Sequence, residues 1–169
     1  MLKYVSFCLA RWYNIENFLV WSCNHENTTD KPKKSIFKDE NDRHMITFDE
    51  VATLLDDIAD ELPTDFYKEL NGGINLLPDT RVHPESSPAA DLYILGEYHN
   101  DPCGLGKYIN IYYGSFISLF GFLTTLQQKQ ELRQILLHEF THHLESLAGE
   151  SVLEKRDLHD LEEYKRKFK

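Results

Sequence analysis

The segment "ILLHEFTHHLES", Ile135–Ser146, has to meet two demands at once, and that narrows the folds open to this chain. Leu137, Phe140, Leu144 and Leu147 recur at helical spacing, so one side of a helix here is expected to be buried. His138, His142, Glu145 and Gly149 recur along another side, where ionisable groups need a cleft, a partner or water. Such a helix belongs on the boundary between a core and an opening, and the rest of the chain must supply both.

The supply is adequate for one domain: of 169 residues, 41% are hydrophobic and 27% charged. The net charge of −10 is relieved only by short basic runs at Lys31–Lys34 and Lys165–Lys169, so a polyanion is repelled and nucleic acid is not an expected partner. No apolar run reaches the roughly 18 residues that a membrane span needs. Cys8, Cys23 and Cys103 form an odd set without a CxxC pair. They fit a reducing, cytoplasmic compartment better than a disulfide scaffold or a zinc ribbon.

Before the domain, "YVSFCLARWYNIENFLVWSC" is apolar and aromatic but interrupted by Arg11 and Glu16, a poor secretory signal. A short amphipathic helix packed on the domain, or a poorly ordered extension, is expected there. Residues 24–44 carry only Ile36 and Phe37 as large apolar side chains and read as linker. The expected division is therefore an extension over 1–44 and one domain over 45–169.

Within the domain, Val51, Leu54, Leu55, Ile58 and Leu62 repeat at helical spacing, with Thr47 and Glu50 as a capping box and Pro63 as the stop. "TDFYKELNGG" reads as a short second helix and "INLLPD" as a short strand. "DLYILGEYH" and "KYINIYYGS" alternate like strands and flank the turn-rich "NDPCGLG", which predicts a hairpin. From Phe116 a long stretch is expected to run as helix through the histidine motif to Gly149. A charged, solvent-facing helix is expected over about Leu153–Phe168.

His138, Glu139 and His142 form an H-E-x-x-H pattern. Residues four apart on a helix stand about 6 Å apart along its axis on one face, so both imidazoles can reach one ion. Two neutral imidazoles suit zinc, and Glu139 beside them is placed to take a proton from an attacking water. Phe140 and Thr141 between the ligands are uncharged, which favours a site over an exposed histidine-rich helix. An open zinc site needs a third protein ligand. Glu150 is the first candidate, because Gly149 lets the chain fold back; Asp157, His159 and Asp160 follow, and Glu145 is expected to point past the metal. Tyr98, His99, Tyr112, Tyr113 and His143 are available as oxyanion donors. The tyrosines are better read as strand residues packed on the helix, and His143 as a helix-surface residue.

Taken in order, "FDEVATLLDDIADELP", "LYILGEYHNDPCGLGKYINIYYGSF" and "LLHEFTHHLESLAGE" resemble the minimal zincins, small single-domain bacterial metallopeptidase-like proteins. The resemblance implies an α+β fold in which a short sheet flanks the metal helix. It also implies zinc as cofactor, His138 and His142 as ligands and Glu139 as general base. In that family an acidic residue after the turn, commonly Asp, completes the ligand set; here the turn reads Gly149–Glu150–Ser151–Val152, and no Asp follows until Asp157. Members begin just before the first helix, where Met45 stands. Residues 1–44 are accordingly expected to lie outside the native protein, with a genuine tether as the alternative. The expected function is zinc-dependent hydrolysis of peptides or unfolded protein. A metal-binding protein without turnover is the alternative, and a metal-free interaction domain would require the motif to be accidental.

Overall fold

The structure, a computed structural model, describes Tyr4–Leu9 and residues 45–168. It is α+β. Among the described residues the five strands are β1 (Tyr4–Leu9), β2 (Ile74–Leu77), β3 (Arg81–Val82), β4 (Tyr93–Asp101) and β5 (Gly106–Tyr112). The helices are α1 (Phe48–Asp60), α2 (Tyr113–Phe120), α3 (Thr125–Ala148) and α4 (Val152–Phe168). The sheet runs β1-β4-β5-β2, with β3 also paired to β4. β4 and β5 form the expected antiparallel hairpin, in register from Gly96 opposite Ile111 to Asp101 opposite Gly106. β2 lies parallel to β5.

Tyr4–Leu9 pairs antiparallel with β4, Tyr4 opposite Asn100 and Leu9 opposite Ile94. The expectation of a helix or loose extension therefore does not hold at these six residues. A β4 edge offers a row of unpaired backbone groups, and a β-forming segment satisfies them. The domain so described takes a strand from ahead of Met45. The remainder of the 1–44 extension, with the linker over 24–44, lies outside the described residues.

α1 follows its pattern: Thr47 and Glu50 close the capping box, and Val51, Leu54, Leu55 and Ile58 are buried. The short second helix reduces to a single 3-10 turn, Thr64–Tyr67, because Glu69 adopts a positive φ of 63° and turns the chain away. The long helix expected from Phe116 is two. α2 stops at Gly121, and α3 starts afresh with a capping box between Thr124 and Gln127.

α3 packs across β4, β1 and β5, and touches α1, α2 and α4. Its buried row differs from the expected leucine stripe. Leu132, Ile135, Leu136, Glu139, Phe140, His142 and His143 are buried, while Leu144 and Leu147 are only partly covered. Phe140 anchors the row between the rings of Phe66 and Tyr67, at centroid distances of 5.6 and 5.2 Å. His143 is wholly buried, contrary to the surface position expected of it, with Nε2 2.9 Å from the carbonyl oxygen of Lys68. The segment that follows α1 thus braces α3 from one side, and the sheet supports it from another.

Candidate metal centre

The last turns of α3 and the first half of α4 make the site. Gly149, at φ 73°, ends α3 in the left-handed conformation, and the Glu150 N–H donates to the Glu145 carbonyl at 2.8 Å, so the chain doubles back. Both carboxylate oxygens of Glu145 then accept from the Leu153 N–H, at 3.1 and 2.9 Å. Glu145 in this way caps α4 from the end of α3. Asp157 stands four residues beyond Leu153, on the same face of α4.

At its far end α4 is held by Tyr164, only 6% exposed, whose hydroxyl accepts from the Ser87 N–H at 2.6 Å and donates to the Ala90 carbonyl at 2.5 Å. The solvent-facing helix expected here is therefore fastened at both ends. The reason is one aromatic with a polar tip, which a pattern of alternating charge conceals.

The result is a triangle of ligand atoms. His138 Nε2 and His142 Nε2 are 3.1 Å apart, and Asp157 Oδ2 lies 3.3 Å from the first and 2.9 Å from the second. Three ligands about 2.1 Å from a tetrahedral ion stand about 3.4 Å from one another, so the triangle is close to the size an ion requires. Asp157 Oδ2 is buried and within ion-pair distance of both rings, so the three atoms lie close together. Burial raises the Asp157 pKa, but His138 and His142 beside it more than offset that and hold the carboxyl below the usual range. Among the described residues this trio is the group of histidine, cysteine and acidic side chains that could hold a metal.

Glu150 is not part of it. Its side chain is exposed, and its backbone serves the turn. His159 is exposed beside Glu163, and Asp160 does not join the trio either. The signal for Asp157 was present as a symmetry: His142 is seven residues before Gly149, and Asp157 is seven after Glu150. In two antiparallel helices joined by a short turn, such equidistant residues come side by side.

Glu139 is buried between α3 and the sheet. A Cβ on Gly96 of β4 would stand 2.9 Å from its Cγ and its Oε1, so only glycine admits this carboxylate here. Of the candidate oxyanion donors, Tyr98 is 1% exposed and lies against the His143 ring at 5.4 Å. Burial pushes its hydroxyl pKa up, with Ser146 acting in the opposite sense. Burial likewise pushes the His143 pKa down, leaving a neutral ring. Tyr113 donates to the Ile46 carbonyl at 2.9 Å, while His99 and Tyr112 join a separate cluster around Glu97.

No protein-family model and no curated protein matches this sequence. Among solved structures, a conserved hypothetical protein from Thermus thermophilus is 33% identical, with a TM-score of 0.51. The match covers 61% of this chain and 98% of that one. The chain belongs to the family of that protein. Likeness over nearly the whole of that relative supports the α+β architecture described above. Among the described residues, no helix is long and apolar enough to cross a membrane.

Proposed function

We propose that this chain is a zinc-dependent metallopeptidase on a zincin-like minimal domain, acting on peptides or unfolded protein. The convergence of His138, His142 and Asp157 carries the reading, since two imidazoles and one carboxylate on three corners leave a fourth position open. A bound zinc ion supplies Lewis acidity, lowering the pKa of water to about 7 and polarising a carbonyl. His138 and His142 would each offer a ring nitrogen, and Asp157 a carboxylate whose pKa is held below the usual range. Glu139, next to His138 on the helix, takes the proton of the attacking water and passes it to the leaving amine.

The complete burial of Glu139 favours a second reading, a metal-binding protein without turnover, because a base must reach its proton. Glu139→Gln separates the two. The peptidase reading expects the variant to keep its metal and lose hydrolysis of casein. Fully metallated wild type that leaves casein and diverse peptides intact would establish the second reading instead.

A further inference from the structure

Among the described residues β1 is the outermost strand on one side of the sheet, so without it that edge would be β4. An edge strand is where an extended peptide adds itself, its main chain completing the ladder. This edge runs past the metal site. Gly96, which admits the Glu139 carboxylate, stands opposite Cys8, and Tyr98, against the His143 ring, stands opposite Ser6. Asn100 follows, opposite Tyr4. Tyr98 and Asn100 also line a cleft of about 260 Å³ that has His142 in its wall.

The contacts of β1 agree with its register. It touches α3, which carries His138, Glu139 and His142, and α4, which carries Asp157. β1 thus lies along both helices of the triangle, where an extended substrate would have to lie. Its pairing is irregular beside Glu139: the register shifts between Cys8 and Leu9, with Cys8 opposite Gly96 and Leu9 opposite Ile94. Such a shift interrupts the ladder locally. The sequence that joins β1 to Met45 reads as linker over 24–44, so β1 can part from β4 without drawing the domain after it.

We propose that β1 is a self-inhibitory strand: it holds the β4 edge at which an extended peptide backbone docks beside Glu139 and the metal triangle, and the site receives substrate when β1 is displaced. The inference rests on the peptidase reading for its meaning, and on strand exchange alone for its binding claim. It also answers the objection that Glu139 is wholly buried, since the edge next to Glu139 is the one that opens. Because β1 belongs to the same chain, a free peptide competes against an intramolecular rival.

Opening, binding and cleavage are read separately. In full-length wild-type protein, hydrogen exchange should show the amides of residues 4–9 exchanging at least about tenfold faster than those of β5, on the other side of β4. Ser6→Pro combined with Phe7→Pro removes two neighbouring N–H groups, which point to opposite edges of the strand, so one bond to β4 is lost whichever it is. In full-length zinc-loaded Glu139→Gln protein, this pair should tighten binding of a fluorescein-labelled peptide of residues 3–11 carrying Cys8→Ser by about tenfold, read by anisotropy. With Glu139 intact, the same pair should speed casein digestion severalfold over wild type. Amides of β1 as protected as those of β5 overturn the proposal, and that measurement decides even where the proline variant fails to fold. Equal peptide affinity with and without the prolines, or no binding to either form, also overturns it. Casein cut at the same rate by both forms overturns it too, and leaves the peptidase reading standing. Tighter peptide binding without any cleavage upholds the strand exchange while removing turnover.

Discussion

On one face of β4, Gly96 and Tyr98 meet Glu139 and His143 of α3; on the other, Glu97 and His99 join Arg81, Tyr112 and Asn110. Both faces bury a carboxylate among nitrogen and hydroxyl groups, yet they treat it differently. Glu97, 2% exposed, accepts from the Tyr112 hydroxyl and from Arg81 at 3.4 Å, with His99 at 3.5 Å. Arg81 in turn lies over the Tyr112 ring at 5.0 Å, and His99 stacks on Tyr108 at 4.6 Å. Glu97 Oε2 thus has three nitrogen and hydroxyl partners within the cluster.

The α3–α4 triangle is open by contrast. Asp157 Oδ2 faces two imidazole nitrogens, at 3.3 and 2.9 Å. A closed network holds a fold together, whereas two imidazole nitrogens and a carboxylate oxygen brought this close form a group that could hold a cation. The comparison separates two clusters that look alike as lists of residues.

The largest expected effect that would test this contrast is on the open side. His142→Ala should weaken zinc binding by at least about a hundredfold in chelator competition, with the far-ultraviolet circular dichroism unchanged. On the closed side, Glu97→Gln should cost about 1–3 kcal/mol in urea unfolding and leave zinc affinity as it was. Loss of zinc in that variant would mean that the two faces are coupled and the distinction false.

A smaller effect is expected at the capping residue between the two helices. Glu145→Gln keeps a shorter-lived cap on Leu153 and should lower zinc affinity about tenfold, by loosening Asp157 without removing it. Unchanged affinity would show that Tyr164 alone fixes α4.

The smallest effect is in acid. Burial raises the Glu97 pKa, but His99, Tyr112 and Arg81 outweigh it and the folded value is depressed. A depressed carboxyl contributes stability that is present above its unfolded pKa of about 4.3 and is lost as pH falls through the lower folded value. The acid limb of a stability profile of the zinc-free protein should therefore be shallower in Glu97→Gln than in wild type.

These outcomes also bear on what a reader of the sequence can see. α1 was legible because a capping box and an unbroken apolar repeat agree. The β4–β5 hairpin was legible because alternation stops at a cluster of turn residues. On α3 the apolar residues alone misplace the buried row, since Glu139 and His143 are buried polar groups made possible by Gly96 and by the Lys68 carbonyl. Those supports come from more than 40 residues away in sequence, and no local pattern announces them.

The site divided in the same way. His138 and His142 are placed by one helix, and spacing on one helix is local information. Asp157 depends on the turn at Gly149, on the Glu145 cap and on the Tyr164 anchor together, so it ranked behind Glu150, which is nearer in sequence but faces solvent. Length of chain after a turn is a poor guide to reach when a second helix begins at once.

The central claim is that His138, His142 and Asp157 together hold a zinc ion. Its most direct test is metal content by inductively coupled plasma mass spectrometry, on wild type, Asp157→Ala and Glu150→Ala purified without chelators or a histidine tag. The account predicts about one zinc per chain in wild type and Glu150→Ala, and almost none in Asp157→Ala. Zinc kept by Asp157→Ala but lost from Glu150→Ala, or absent from wild type even after zinc is supplied, would contradict it.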